Sequence, residues 1–70
     1  MKIIKYLEHN NEKYFVGDHV ILNSYNKPEI SCTIDSLGND EFNPRVIVIS
    51  DNGGLIILKL DEIESIRKHI

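Results

Sequence analysis

Turn-forming residues recur along this chain at intervals too short for ordinary helices. His9-Asn10-Asn11-Glu12, Gly17-Asp18, Tyr25-Asn26-Lys27-Pro28, Gly38 through Pro44, and Asp51-Asn52-Gly53-Gly54 each interrupt it. Asn, Asp and Gly tolerate positive φ and Pro presets φ near −65°, so each cluster favours a reversal of direction. Between them lie runs rich in Ile, Val, Tyr and Phe, at 2–8, 13–16, 19–24, 29–37, 45–50 and 55–60. Short β-branched runs at regular spacing predict an all-β small barrel or sandwich. Asn10-Asn11 suits a two-residue hairpin turn, and Asp51-Asn52-Gly53-Gly54 suits a tight hairpin between the last two runs.

The strands divide by periodicity. In 29–35, Ile30, Cys32 and Ile34 alternate with Ser31, Thr33 and Asp35, which predicts one buried and one wet face. Val46-Ile47-Val48-Ile49 and Leu55-Ile56-Ile57-Leu58 do not alternate. Both faces of that hairpin therefore favour leaving water, and only one can line a barrel interior. The last stretch, Leu60 to Ile70, changes period: Ile63, Ile66 and Ile70 fall at i, i+3 and i+7. With Asp61, Glu62 and Glu64 early and Arg67, Lys68 and His69 late, the pattern predicts a short helix, or a single helical turn that frays, over about 61–68.

Length and charge narrow the function. Seventy residues make one domain, 1–70, with a core only just large enough to fold alone. Eight Lys plus Arg against eleven Asp plus Glu give a net charge of −3, the wrong sign for coating nucleic acid or anionic lipid. The start, Met1 to Glu8, has a Lys within its apolar run and no small-residue cleavage site, and no stretch reaches the ~18 apolar residues of a membrane span. A cytoplasmic, membrane-free protein is expected. A single cysteine, Cys32, forms no internal disulfide, and there is no Cys-x-x-Cys pair. No metal or cofactor site is expected, since the spacings of His9, His19, His69 and Cys32 match no ligand pattern.

The order of parts resembles SH3-like small barrels. Tyr14-Phe15-Val16-Gly17-Asp18-His19-Val20-Ile21-Leu22 looks like the Val-Gly-Asp-x-Val entry into the first long strand of KOW-type and related domains, where Gly permits the turn and Asp braces it. Ile30-Ser31-Cys32-Thr33-Ile34-Asp35, then Val46-Ile47-Val48, then Ile56 through Ile66, is similar to the end of YolD-like, Sm-like and Rho-binding antiterminator proteins. The resemblance covers about 14–66 and implies an SH3-like barrel of five or six antiparallel strands with a short C-terminal helical turn. It also implies a short protein of the kind phages and mobile elements encode. The glycine usual in the bending third strand is replaced near Cys32. With no Trp and no Ala-Leu-Tyr-Asp-Tyr stretch, the proline-peptide groove of signalling SH3 domains is not supported.

No catalytic residue is expected. The acids fall in turns, on a wet strand face or in the last segment, so no pair of carboxylates is set to be pushed apart in pKa by burial. Gly53-Gly54 lacks the following helix and the Lys-Ser/Thr pair of a phosphate cradle. Two non-enzymatic functions remain. The surplus of apolar surface predicts a self-associating protein-binding or regulatory module, as a dimer or ring, with Ile47, Ile49, Leu55, Ile57, Ile66 and Ile70 as candidate interface residues. The first run, with Ile3, Ile4, Tyr6 and Leu7, competes to cover that hairpin internally. The alternative is a small barrel gripping single-stranded nucleic acid, if Tyr25 and Lys27 in one loop converge with Phe42 and Arg45 at another.

Overall fold

The computed structural model describes residues 6–38 and 44–69. Among the described residues seven strands run in order: β1 (Leu7–His9), β2 (Glu12–Tyr14), β3 (His19–Ser24), β4 (Ile30–Gly38), β5 (Arg45–Ser50), β6 (Leu55–Lys59) and β7 (Ile63–Lys68). A 3-10 turn, Leu60–Glu62, lies between β6 and β7. β1 and β2 form an antiparallel pair, and the other five form one antiparallel sheet in the order β6-β5-β4-β3-β7.

The turns obey local chemistry. Asn10 and Asn11 hold φ of 51° and 68°, so His9 faces Glu12 across a two-residue hairpin. Left-handed φ at both central residues is what a turn matched to strand twist requires, and Asn tolerates it. Between β2 and β3, Gly17 takes φ 96° while the Asp18 amide donates to the Phe15 carbonyl at 3.0 Å. The Asp18 carboxylate accepts from the Phe15 amide at 2.8 Å, bracing the turn from its other side. Gly17 N–H donates to the Ile34 carbonyl at 2.8 Å, and Ile34 N–H to the Asp18 carbonyl at 3.0 Å, so the turn is docked on the middle of β4.

Alternation fills the core. Val20 and Leu22 point inward from β3, Cys32 and Ile34 from β4, Val46 and Val48 from β5, and Leu58 from β6. Ile63 and Ile66 close it from β7, with Leu7 and Tyr14 from the β1–β2 hairpin. Cys32 is wholly buried; burial pushes its thiol pKa up, with Asp51 adding to the shift, so it packs as a small apolar group.

The segment after Glu62 is a strand and not the expected helix over 61–68. Among the described residues only the 3-10 turn is helical, and β7 pairs antiparallel with β3 from Val20↔Lys68 to Ser24↔Ile63. The register shifts between Asn23 and Ser24, leaving Glu64 as an extra residue on β7. One inserted residue turns the two-residue repeat of a strand into a spacing of three, so Ile63 and Ile66 both face inward. β4 does the same: its pairing with β5 skips Asp35, so that Ile34 is buried and Leu37, three residues on, also packs against the core. Ile70, Ile3 and Ile4 lie outside the described residues.

The small hairpin is tied to the last strand by one polar contact, the buried Tyr14 hydroxyl donating to the Ile66 carbonyl at 3.0 Å. Tyr14→Phe is expected to lower stability by about 1–2 kcal/mol, because the partner carbonyl stays buried without its donor. A urea titration followed by circular dichroism reads this as a lower midpoint at unchanged slope. Burial, and secondarily Glu12, pushes the Tyr14 pKa above its ordinary value. The unfolded chain therefore releases that proton first. Tyr14's stabilising contribution is complete below the ordinary tyrosine range and falls as pH rises through it, and Tyr14→Phe removes that share of the alkaline loss.

Candidate functional site

β5 and β6 put their two apolar sets on opposite faces. Register pairs Val46 with Leu58 and Val48 with Ile56 on the core side, and Ile47 with Ile57 and Ile49 with Leu55 on the other. On this outer face Ile49 is 38%, Ile57 56% and Leu55 62% exposed, while Ile47 is half-buried. The four form two consecutive cross-strand pairs. Arg45 and Lys59, paired at the open end of the hairpin, continue the same alternation and share this face. The opposite end is the Asp51 turn, in which Gly53 holds φ 93° and its amide donates to the Ser50 carbonyl at 2.8 Å. The ladder thus runs from a basic end through four aliphatic side chains to an acidic end.

Ile66 does not belong to this surface: it faces the core from β7, beside Leu22. Leu7, from the first run, is also in the core, and among the described residues β1 pairs with β2 rather than lying on the hairpin. A mostly apolar cleft of about 270 Å³ opens on the inner side of β6, between Ile56 and Leu58 and the β3–β4 connection at Ser24, Lys27, Pro28 and Ile30.

The two loops proposed for nucleic acid are both anchored on the 3-10 turn. Tyr25 N–H donates to the Glu62 carbonyl at 3.3 Å, and Leu60 N–H donates to the Pro44 carbonyl at 3.2 Å. Tyr25, Lys27 and Arg45 are exposed, and Phe42 lies outside the described residues. Asp61 and Glu62, both exposed, occupy the same turn and repel a phosphate backbone there. Glu29 adds a third acid beside the Tyr25 loop, its carboxylate 3.4 Å from Arg67 Nη1.

Two clusters escaped the reading of the sequence. Tyr6 and Phe15, both exposed, stack obliquely at 5.9 Å between ring centroids, with the Lys13 ammonium 4.9 Å from the centre of the Tyr6 ring. The second cluster joins residues from four places. His19 Nε2 lies 2.9 Å from Asp51 Oδ1 and 3.2 Å from Ser31 Oγ, and His19 Nδ1 lies 2.9 Å from His69 Nδ1. The rings meet edge to face, with centroids 4.6 Å apart. Hydrogen bonding by Ser31, then by His19, holds the Asp51 carboxyl below its usual pKa. Ser31 and Asp51 compete for one nitrogen of His19, so this is not a relay in which a base takes the serine proton while an acid holds its far side. No spacing rule joins residues 19, 31, 51 and 69; only the strand register brings them together.

No family model, characterised protein or solved structure matches the chain. Among the described residues no helix is long and apolar enough to cross a membrane.

Proposed function

We propose that this chain is a non-enzymatic protein-binding module of SH3-like barrel form that associates with a second copy of itself through the outer face of β5 and β6. Three features favour the barrel form: the order β6-β5-β4-β3-β7, the long bulged β4, and the 3-10 turn that carries the chain from one sheet edge to the other. One observation carries the function: two cross-strand aliphatic pairs, Ile47–Ile57 and Ile49–Leu55, face outward together. A contiguous apolar ladder of this kind is costly to leave in water and is the usual mark of a contact surface. Its ends argue for a twofold partner. Packing two hairpins face to face and antiparallel sets Arg45 and Lys59 of each copy against the Asp51 turn of the other, matching charge at both ends of an aliphatic centre.

The test is light scattering behind a sizing column over a hundredfold range of concentration. A dimer that dissociates on dilution supports the proposal; a monomer throughout overturns it. Single-stranded nucleic acid is the weaker reading, since Asp61 and Glu62 belong to the 3-10 turn whose backbone contacts Tyr25 and Pro44, next to the basic groups it needs. Lys27→Ala and Arg45→Ala are accordingly expected to leave the retention of a mixed oligonucleotide pool on the same column unchanged. A loss of retention in both variants, with a flattened salt dependence, would favour nucleic acid instead.

A further inference from the structure

The histidine pair lies where β3 meets β7, on the same sheet face as the apolar ladder and joined through Asp51 to its acidic end, and the proposed function makes no use of the two imidazoles. Its geometry has a chemical direction. The contact between His19 Nε2 and the Asp51 carboxylate is met by a proton on Nε2, because a carboxylate only accepts. The Nδ1 lone pair of His19 is then free, with His69 Nδ1 2.9 Å away. Two imidazole nitrogens this close share either a proton or a cation. A carboxylate on the far nitrogen of an imidazole fixes the tautomer and makes the near nitrogen a better donor, which is the usual outer support of a metal-binding histidine. His69 needs only to carry its proton on Nε2, and its ring is exposed to water. Its backbone is already fixed by the His69 amide, which donates to the His19 carbonyl at 2.9 Å.

We propose that His19 and His69 form a two-nitrogen site for a divalent cation of the copper or nickel class, with Asp51 positioning His19 from outside and water filling the remaining positions. The spacing selects the class. Metal–nitrogen bonds of about 2.0–2.1 Å meeting at a right angle set two nitrogens about 2.9 Å apart, whereas a tetrahedral angle sets them about 3.3 Å apart. The observed 2.9 Å fits adjacent positions of a square-planar or octahedral ion better than tetrahedral zinc. Asp51 cannot join the same ion, since it contacts the opposite nitrogen, and no group of three or more His, Cys, Asp and Glu ligands occurs among the described residues. The site is therefore open and of modest affinity.

The test is a titration of the full chain with Cu²⁺ at neutral pH, read by electron paramagnetic resonance and calorimetry. The wild-type spectrum is expected to show splitting from two equivalent imidazole nitrogens. His69→Ala should reduce this to one and weaken binding by at least about tenfold, as a chelate becomes a single ligand. Asp51→Asn should retain two nitrogens but bind about 10-fold more weakly, as loss of an outer-shell partner does. His9→Ala, which alters a half-buried histidine outside the cluster, should change nothing. Two results would overturn the site: a single-nitrogen signal in the wild type, or His69→Ala binding as tightly as wild type, which would mark the ion as adventitious. Circular dichroism of each variant checks that the sheet is intact, and His69→Gln repeats the test with a side chain nearer in size.

Discussion

Leu22→Ala is expected to lower stability by about 3 kcal/mol, within the 2–5 kcal/mol range for such truncations at fully buried sites. Leu22 is the middle of three in register: Ile30 lies across from it on β4 and Ile66 on β7. It has no exposed surface, and neighbours held on two sides by sheet hydrogen bonds cannot collapse into the space it leaves. A chain of this length has roughly 4–10 kcal/mol of total stability, so the loss is a third of it or more. At about 4–8 °C per kcal/mol for a domain of this size, the thermal midpoint should fall by roughly 12–24 °C. Ile21→Ala, on the opposite face of the same strand and only half-buried, should cost clearly less. Equal midpoints for the two variants would mean that β3 buries the other face.

The second large effect concerns association rather than folding. Ile57→Asp should leave the monomer folded, since Ile57 is more than half exposed and loses only its cross-strand contact with Ile47, worth about 0.2–1 kcal/mol. In the proposed dimer it buries a carboxylate from each copy among the six aliphatic side chains that remain. A central interface residue of this kind contributes about 2 kcal/mol or more, a shift of about 30-fold in the dissociation constant. Val48→Asp is the contrasting variant: Val48 neighbours Ile47 and Ile49 in sequence but is wholly buried, and a charge there should prevent folding. Sizing and circular dichroism on both variants separate the outcomes. A folded Ile57→Asp protein that still dimerises at wild-type concentrations would remove the ladder from the interface.

Much of the architecture can be read from short-range signals. The paired asparagines specify the first hairpin, Gly17 with Asp18 the docked turn, and Ile30-Cys32-Ile34 the inward face of β4, because each depends on residues adjacent in sequence. The surplus on the β5–β6 hairpin was visible as well, but a run apolar on both faces carries no sign of which face is outward. Only the pairing of Val46 and Val48 with the core assigns it. The last strand departs from the expected helix for a definite reason. A bulge at Glu64 gives Ile63 and Ile66 the three-residue spacing of a helix, and the same phase slip at Asp35 goes unnoticed because β4 has regular alternation before it. The histidine cluster had no local signal at all, since it depends on where β7 ends along β3.

The placement of β7 also sets the order in which the molecule can be completed. β3 gains β4 from the next few residues of chain, but its other edge stays open until β7 arrives, when Val20 meets Lys68 and Leu22 meets Ile66. Pairings this distant in sequence incur their loop-closure entropy before any contact repays it, and they slow folding accordingly. During synthesis, then, a nascent chain that has extended as far as β6 already holds both faces of its apolar hairpin and one bare edge of β3. That interval, more than any state of the finished protein, is when it is most exposed to pairing with the wrong strand.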